Sequence, residues 1–350
     1  MINSNYNIIL ALLTSFAISY LIIPKLISFA SRYRLSDVAG KRSAHKGSVP
    51  IFGGVAFFFS IIACLILYFD FSDITFLSGA IVIVFFVGML DDLLGLSPIK
   101  KLLGQLISIS IIIFLSNLKI RSFYGVWGIY ELPESISVLF TAFVFIVIIN
   151  SMNLIDGIDG LATGIGSISA LCFGLLAFYM NKIEISILAF SLLGSLLAFL
   201  KYNFHPAKIF MGDTGSLLIG LVLSILAVNL INSGIKTDFI TFPNKGPFIA
   251  ISFLSLPLFD SLRIFVSRLF RGKHPLHPGK GHIHHALLRL GFGHKKTSII
   301  LYVYFLLLII LTYFLLPLNI NLAILFFAIV NFCCLYLPFY FYRVHNKTKE

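Results

Sequence analysis

The 350-residue chain reads as an all-α polytopic membrane protein of about eleven transmembrane helices, N-terminus outside and C-terminus cytoplasmic. Three observations predict this. Hydrophobic residues make up 59% of the chain and charged residues only 11%, where a soluble chain needs roughly 25% charged residues to cover its surface. Apolar runs of about 20 residues, the length that crosses a bilayer, recur from end to end. Lysine and arginine fall unevenly on the two sides that those runs define. No soluble domain of useful size remains between the runs, so 1–350 is one integral membrane domain.

The runs centre on Ile18, Ile61, Ile83, Ile111, Val144, Leu171, Leu192, Leu223, Leu254, Leu307 and Ala328. The first lacks the basic n-region and small-residue cleavage site of a signal peptide and reads as retained. One side carries Lys25, Arg32, Arg34, Lys41, Arg42, Lys46, Lys100, Lys101, Lys201 and Lys208. It also carries Arg263, Arg268, Arg271, Lys273, Lys280, Arg289, Lys295, Lys296, Arg343, Lys347 and Lys349. The other side has only Lys119, Arg121, Lys182, Lys236 and Lys245. The basic side is cytoplasmic by the positive-inside rule, and an odd number of spans fits.

The net charge of +12 is spread over loops, where it sets topology and meets anionic headgroups. What remains suits an anionic substrate. Nucleic acid is excluded as a partner, because no basic soluble domain with interleaved aromatics exists. Cys64, Cys172, Cys333 and Cys334 lie inside apolar runs without a C-x-x-C pair. They read as small buried apolar residues.

The cytoplasmic loops hold most of the chemistry. In the first, about 31–50, Lys46 and Arg42 precede Pro50 and the Gly53-Gly54 opening of the second span. That arrangement can grip phosphate or simply set topology. At 91–101, the adjacent Asp91 and Asp92 repel one another. They also sit at a helix C-terminus, where acids are disfavoured. A divalent cation or a nearby lysine relieves the misfit, and Mg²⁺ prefers one or two carboxylates with waters and substrate phosphates.

At 150–161, Asn150-Ser151-Met152-Asn153-Leu154-Ile155-Asp156-Gly157-Ile158-Asp159-Gly160-Leu161 joins two apolar runs. Asp156 and Asp159 are three apart and share a side on a helical turn. Acids beside hydrocarbon are costly and point to function, although Asn, Asp and Gly also make turns. At 201–216, which includes Asn203, a Gly-Asp-Thr-Gly-Ser run places Asp213 at a helix start. There it reads as an N-cap or a Mg²⁺ ligand beside amides that face phosphate.

The ninth span ends with Asp260 and Arg263, and the loop at 268–298 carries His282, His284 and His285. Histidine, arginine and lysine together suit a phosphate-rich ligand. Zinc is the alternative, but it lacks a Cys or acidic partner nearby in sequence. Ala286 to Leu290 reads as an amphipathic helix on the membrane surface. The outer loop with Trp127, Tyr124 and Tyr130 needs only a structural reading as an interfacial anchor. All nine histidines, with Asp91, Asp92, Asp156, Asp159, Asp213 and Asp260, fall on the cytoplasmic side. Metal-capable groups thus gather at one membrane face, as in a membrane-interface enzyme.

Five of these stretches, in order, resemble the polyprenyl-phosphate N-acetylhexosamine-1-phosphate transferases. Asp91-Asp92 with Lys101 and Gln105 resembles the family's paired acids and K-L-x-x-Q continuation. Asn153, Asp156 and Asp159 match N-x-x-D-G-x-D-G, Asp213 matches F-M-G-D-T-G-S, and His282, His284 and His285 match H-x-H-H. The HIHH form and following Leu-Gly-Phe are closer to the N-acetylglucosamine branch than to the muramoyl-pentapeptide branch. Family members often carry Asp three residues before the first loop histidine, where this chain has Gly279.

The resemblance implies transfer of a HexNAc-1-phosphate from a UDP-sugar, most simply UDP-GlcNAc, to undecaprenyl or a similar polyprenyl phosphate. UMP leaves, and the lipid-linked product feeds a cell-envelope polysaccharide. It implies Mg²⁺, with Mn²⁺ as substitute, on Asp213, and catalytic roles for Asp91, Asp92, Asp156 and Asp159. Lys46, Lys101, Asn153, Asn203, Arg263, His282, His284 and His285 are assigned to substrate binding. The implied location is the bacterial plasma membrane with the site on its cytoplasmic face, and a homodimer is compatible. A secondary transporter is the rival reading, but its acids would lie near the bilayer centre. A lipid-binding scaffold is a third, and it leaves the acids unexplained.

Overall fold

A computed structural model describes residues 4–33, 36–37, 49–69, 71–233, 235–236, 241–242, 244–270, 272 and 281–347. Lys46, expected at the substrate, lies outside them. Helices run in chain order as α1 (Ser4–Arg32), α2 (Gly53–Tyr68), α3 (Phe71–Leu94), α4 (Pro98–Ser110), α5 (Glu134–Ile155), α6 (Leu161–Tyr179) and α7 (Ile183–Asn203). They continue as α8 (Gly212–Ser233), α9 (Gly246–Phe253), α10 (Ser255–Leu269), α11 (Ile283–Arg289), α12 (His294–Leu315) and α13 (Ile320–Lys347). Helix is what an apolar chain in hydrocarbon must form, since it satisfies every backbone polar group within the segment.

Among the described residues, nine helical stretches are long and apolar enough to cross a membrane: α1, α3, α4 with its π-turn extension Ile111–Leu115, α5, α6, α7, α8, α12 and α13. The protein is therefore a polytopic membrane protein. Ten of the eleven expected centres fall inside these helices or the 16-residue α2. The remaining one, Leu254, marks an 82° bend between α9 and α10, which together make a broken span.

The bundle is built around α8. It packs against α2, α3, α5, α6, α7 and α9, and from Thr214 to Val228 every residue is buried. With lipid tails as apolar as leucine, such helices associate through close packing and hydrogen bonds. Buried hydroxyls of Thr141, Ser191, Ser224 and Ser252 donate to the carbonyl one turn earlier, so they cost little in a dry interior.

Hydrogen bonds tie helix ends together at one pole of the bundle. Ser36–Asp37, just after α1, pairs antiparallel with Val49–Pro50 before α2. The first amides of α2 donate onward: Gly53 to the Phe210 carbonyl at 3.0 Å and Gly54 to that of Met211 at 3.0 Å. The start of α2 is thereby fixed against the start of α8. The C-terminal ends of α3, α5 and α7 and the N-terminal ends of α4, α6 and α12 join the same pole through the side-chain bonds described below.

At the opposite pole an antiparallel hairpin, Ser122–Val126 with Ile129–Glu131, braces α8 and α13. Tyr124 donates to the Asn232 carbonyl at 3.1 Å, and the Trp127 amide donates to Asn321 at 2.8 Å. The segment expected to lie on the membrane surface forms α11, but Ile283, His284, Ala286 and Leu287 are buried in it. It packs onto α12 and α13.

Candidate active site

Three helix ends deliver the acids and a fourth the lysine between them. Asp91 and Asp92 sit in the last turn of α3, Lys101 in the first turn of α4, Asn153 and Asp156 at the end of α5, and Asp213 at the start of α8. The α4 turn is set by Ser97 and Pro98, because proline suits the first helical position.

The two adjacent acids have separate tasks. Asp92 turns to the N-terminus of α8: its Oδ1 accepts the Asp213 amide at 2.7 Å, and its Oδ2 accepts the Thr214 amide at 3.0 Å and the Thr214 hydroxyl at 2.6 Å. A carboxylate there matches both the orphan amides and the positive end of the helix dipole. Gly212 makes room for it. It adopts φ +71°, and a Cβ there would lie 2.4 Å from Asp92 Oδ2.

Asp91 faces the other way. Its Oδ1 accepts the Leu96 amide at 2.8 Å, and its Oδ2 lies 2.6 Å from Lys101 Nζ. Lys101 also pairs with Asp213 Oδ2, so one ammonium bridges two carboxylates from different helices. Asn153 donates to Asp213 Oδ1 at 2.8 Å and to the Ser216 hydroxyl at 2.9 Å. Behind it Asn150 donates to Gln105 at 2.9 Å, locking α5 to α4.

Asp156, which follows the last turn of α5, is partly buried and faced by Asp213, Asp92 and Asp159. Burial first, and then those negative charges, push its carboxyl pKa up to about 7. The set of Asp91, Asp92, Asp156 and Asp213 around Lys101 carries more negative than positive charge and offers oxygen donors only. That is the donor chemistry of a hard divalent cation such as Mg²⁺, which needs one or two carboxylates and takes the rest from water and phosphate.

Asp159 is placed apart from this set. It is 1% exposed, and its Oδ2 meets His205 Nδ1 at 2.6 Å and the Ala207 amide at 3.1 Å. His294 Nδ1 lies 3.3 Å from its Oδ1. Ser298 donates to the Asp159 carbonyl at 2.9 Å, and Tyr302 donates to that of Gly160. Asp159 thus clasps the loops after α5 and α7 to the start of α12. These three side chains are, among the described residues, the group of metal-capable atoms within 4.8 Å of one another. Its Oδ2 carries two hydrogen bonds, and its Oδ1 faces the His294 imidazole.

Asn203 belongs to the same framework. Its Oδ1 accepts the Gly160 amide at 3.1 Å and the Thr163 hydroxyl at 2.8 Å, while its Nδ2 donates to the Ile209 carbonyl at 2.9 Å. Arg263, also expected at the substrate, is buried and ion-paired to Asp260 at 2.7 Å. Neither residue has a described contact with Asp91, Asp92, Asp156 or Asp213.

The histidine loop does approach them. His284, 1% exposed, lies so close to the α5–α6 turn that a Cβ on Gly157 would come within 2.3 Å of its Nε2. Burial, then the neighbouring His285 and His282, hold its pKa down to about 3, so the ring is neutral. Both ring nitrogens are buried and neither has a hydrogen-bond partner among the described residues, an exception that calls for an explanation. His282 stacks parallel on His284 with centroids 5.6 Å apart, and His284 meets His285 at 4.3 Å.

The sequence reading missed His205 and His294 as partners of Asp159. Its sole signal was that every histidine fell on one side.

Comparison with known proteins places this arrangement. Residues 74–231 match the family model described as glycosyl transferase family 4. A probable undecaprenyl-phosphate N-acetylglucosaminyl 1-phosphate transferase of Bacillus subtilis is 32% identical over 300 residues, 84% of this chain and 81% of its own. The chain belongs to glycosyl transferase family 4. A decaprenyl-phosphate N-acetylglucosaminephosphotransferase of Mycobacterium tuberculosis is 30% identical over 318 residues, 83% of this chain and 78% of its own. An undecaprenyl-phosphate alpha-N-acetylglucosaminyl 1-phosphate transferase of Escherichia coli O157:H7 is 28% identical over 280 residues. The match to the family 4 model spans Asp91, Lys101, Asn153, Asp156 and Asp213, the residues that the fold draws together.

Proposed function

We propose that the protein transfers N-acetylglucosamine-1-phosphate from UDP-GlcNAc to a polyprenyl phosphate, releasing UMP and leaving a lipid-linked sugar diphosphate. The observation that carries this is the convergence of Asp91, Lys101, Asn153 and Asp213, from four helices, at one pole of a membrane bundle. The names of the relatives support the donor and acceptor.

The reading includes a topology. If α2 and the bent α9–α10 pair both cross, the chain has eleven spans. Helix ends at the acidic pole then alternate between C- and N-terminal along the chain, as successive crossings require. The lysine and arginine bias assigns that pole to the cytoplasm, with the N-terminus outside, in a bacterial plasma membrane.

Acceptor phosphate and donor diphosphate are both anionic, so repulsion and placement dominate the barrier. The acceptor's phosphate oxygen attacks the β-phosphorus of the donor, and the bond to the bridging oxygen breaks as UMP departs. Lys101 offsets charge at the reacting phosphates. Asn153 holds Asp213 in place, and Asp92 aligns the α8 amides whose dipole favours phosphate. Mg²⁺ on Asp213, with Asp91 or Asp156, would supply charge neutralisation on the diphosphate. A phosphate monoester is mostly dianionic at neutral pH, so proton abstraction by an Asp contributes less than placement. His284 and its neighbours face the donor. Asn203 and Asp159 act on the framework.

The rival transporter reading needs acids near mid-membrane, whereas these occupy helix ends. Radiolabelled UDP-GlcNAc given to membranes with and without polyprenyl phosphate tests the proposal. Lipid-dependent label transfer with UMP release, lost in Asp213→Ala, is expected. Label uptake without transfer favours the transporter, and undiminished turnover by Asp213→Ala overturns the metal assignment.

A further inference from the structure

Outside the acid cluster, Asp260 is a buried carboxylate with three hydrogen-bonded partners. The bend at Leu254 swings α10 inward and carries Asp260 and Arg263 with it, one turn apart and both buried. Asp260 Oδ1 accepts Arg263 Nη2 at 2.7 Å and the Ile283 amide at 3.1 Å, and its Oδ2 lies 2.8 Å from His282 Nδ1. Arg263 Nη2 also donates to the Gly281 carbonyl at 2.6 Å, and its guanidinium lies over the Phe339 ring at 4.3 Å.

One carboxylate therefore holds both the first imidazole of the histidine loop and an amide at the opening of α11. An ionised carboxylate only accepts, so the His282 proton on this side sits on Nδ1, and Nε2 is left to face another group. His282 in turn stacks on His284, which rests against Gly157 beside Asp156. The chain of contacts runs from the broken span to the acids.

We propose that Asp260 is a positioning residue for the donor, resting on the transferase reading above. It holds His282 through Nδ1–H and fixes its ring plane, so that Nε2, left as an acceptor, meets an N–H or hydroxyl of the donor nucleotide-sugar. Arg263 is its counter-ion, not a substrate ligand. An outer partner of this kind is worth roughly 10–100-fold where a histidine must be oriented.

The test uses full-length enzyme in nanodiscs and compares wild type, Asp260→Asn, His282→Gln and the double variant. The positioning role predicts that Asp260→Asn raises the KM for UDP-GlcNAc about 10-fold or more, with the KM for polyprenyl phosphate within twofold. It also predicts almost no further loss when Asp260→Asn is added to His282→Gln. Multiplicative losses, or equal changes in both KM values, overturn it. Should Asp260→Asn fail to fold, nitrogen-15 spectra of histidine-labelled wild type decide. The His282 resonance, identified by its disappearance in His282→Gln, must show a protonated Nδ1, and a proton on Nε2 with Nδ1 bare refutes the proposal. If wild type itself transfers no sugar phosphate, the transferase reading fails, and that result is distinct from a working wild type with unaffected variants.

Discussion

The amide of Asp213 donates to the carboxylate of Asp92 at 2.7 Å, so the acid ending one helix caps the helix that begins with another acid. This explains how a doubled aspartate survives at a helix C-terminus, where acids are disfavoured. One member has left its own dipole for the favourable end of a neighbour's. Losing such a cap costs roughly 0.5–2 kcal/mol. Asp92→Ala is expected to lower the melting temperature in detergent, and Asp92→Asn, which keeps an acceptor, to lower it less. An alanine variant as stable as wild type would show that the cap contributes nothing.

Lys101 competes with any cation for Asp213 and Asp91. Replacing it by glutamine removes the competitor along with its help to the reacting phosphates. The Mg²⁺ concentration for half-maximal activity should therefore fall, while kcat drops about tenfold or more. Steady-state UMP release across a Mg²⁺ titration checks both, and a half-maximal concentration that stays put or rises rejects the competition.

Asp156 supplies a pH signature. Its carboxyl titrates at about 7 in the fold against about 3.9 in an unfolded chain. A raised pKa stabilises the fold below the unfolded value, and that contribution is lost as pH rises through about 7. In Mg²⁺-free buffer, Asp156→Asn should thus gain melting temperature relative to wild type as pH goes from 5 to 8. A difference that is flat with pH would mean that the carboxyl is not perturbed.

The contact between Gly157 and His284 makes a cycle. A methyl at Gly157 would press on the imidazole at 2.3 Å, and overpacking of this kind costs about 1–3 kcal/mol. Gly157→Ala should depress activity strongly in wild type but barely in a His284→Ala background. Equal losses in both backgrounds would place the strain elsewhere.

Spans, polarity of the two faces and the five loops follow from hydropathy and charge, which are additive along a chain. Asp213, Lys101 and Asn153 could be picked out because each sits in a local pattern that helix ends or phosphate chemistry explain. Asn203 and Arg263 carry the same residue chemistry, yet their hydrogen bonds go to protein partners. Nothing local distinguishes a side chain that joins the acid cluster from one that ties loops together. His205 and His294 were invisible as a pair because 88 residues of sequence lie between them. The break in the ninth span was missed too, since an apolar run reads the same whether it is straight or turned through 82°.

By itself, then, the sequence determined that this chain lives in a bilayer and gathers its acids and imidazoles at one surface, because solvent preference is a property of each residue. Only the tertiary structure decided which acid caps, which pairs with the lysine and which clasps loops. Those roles depend on where a carboxylate's two oxygens point, and helices far apart in the chain set that direction.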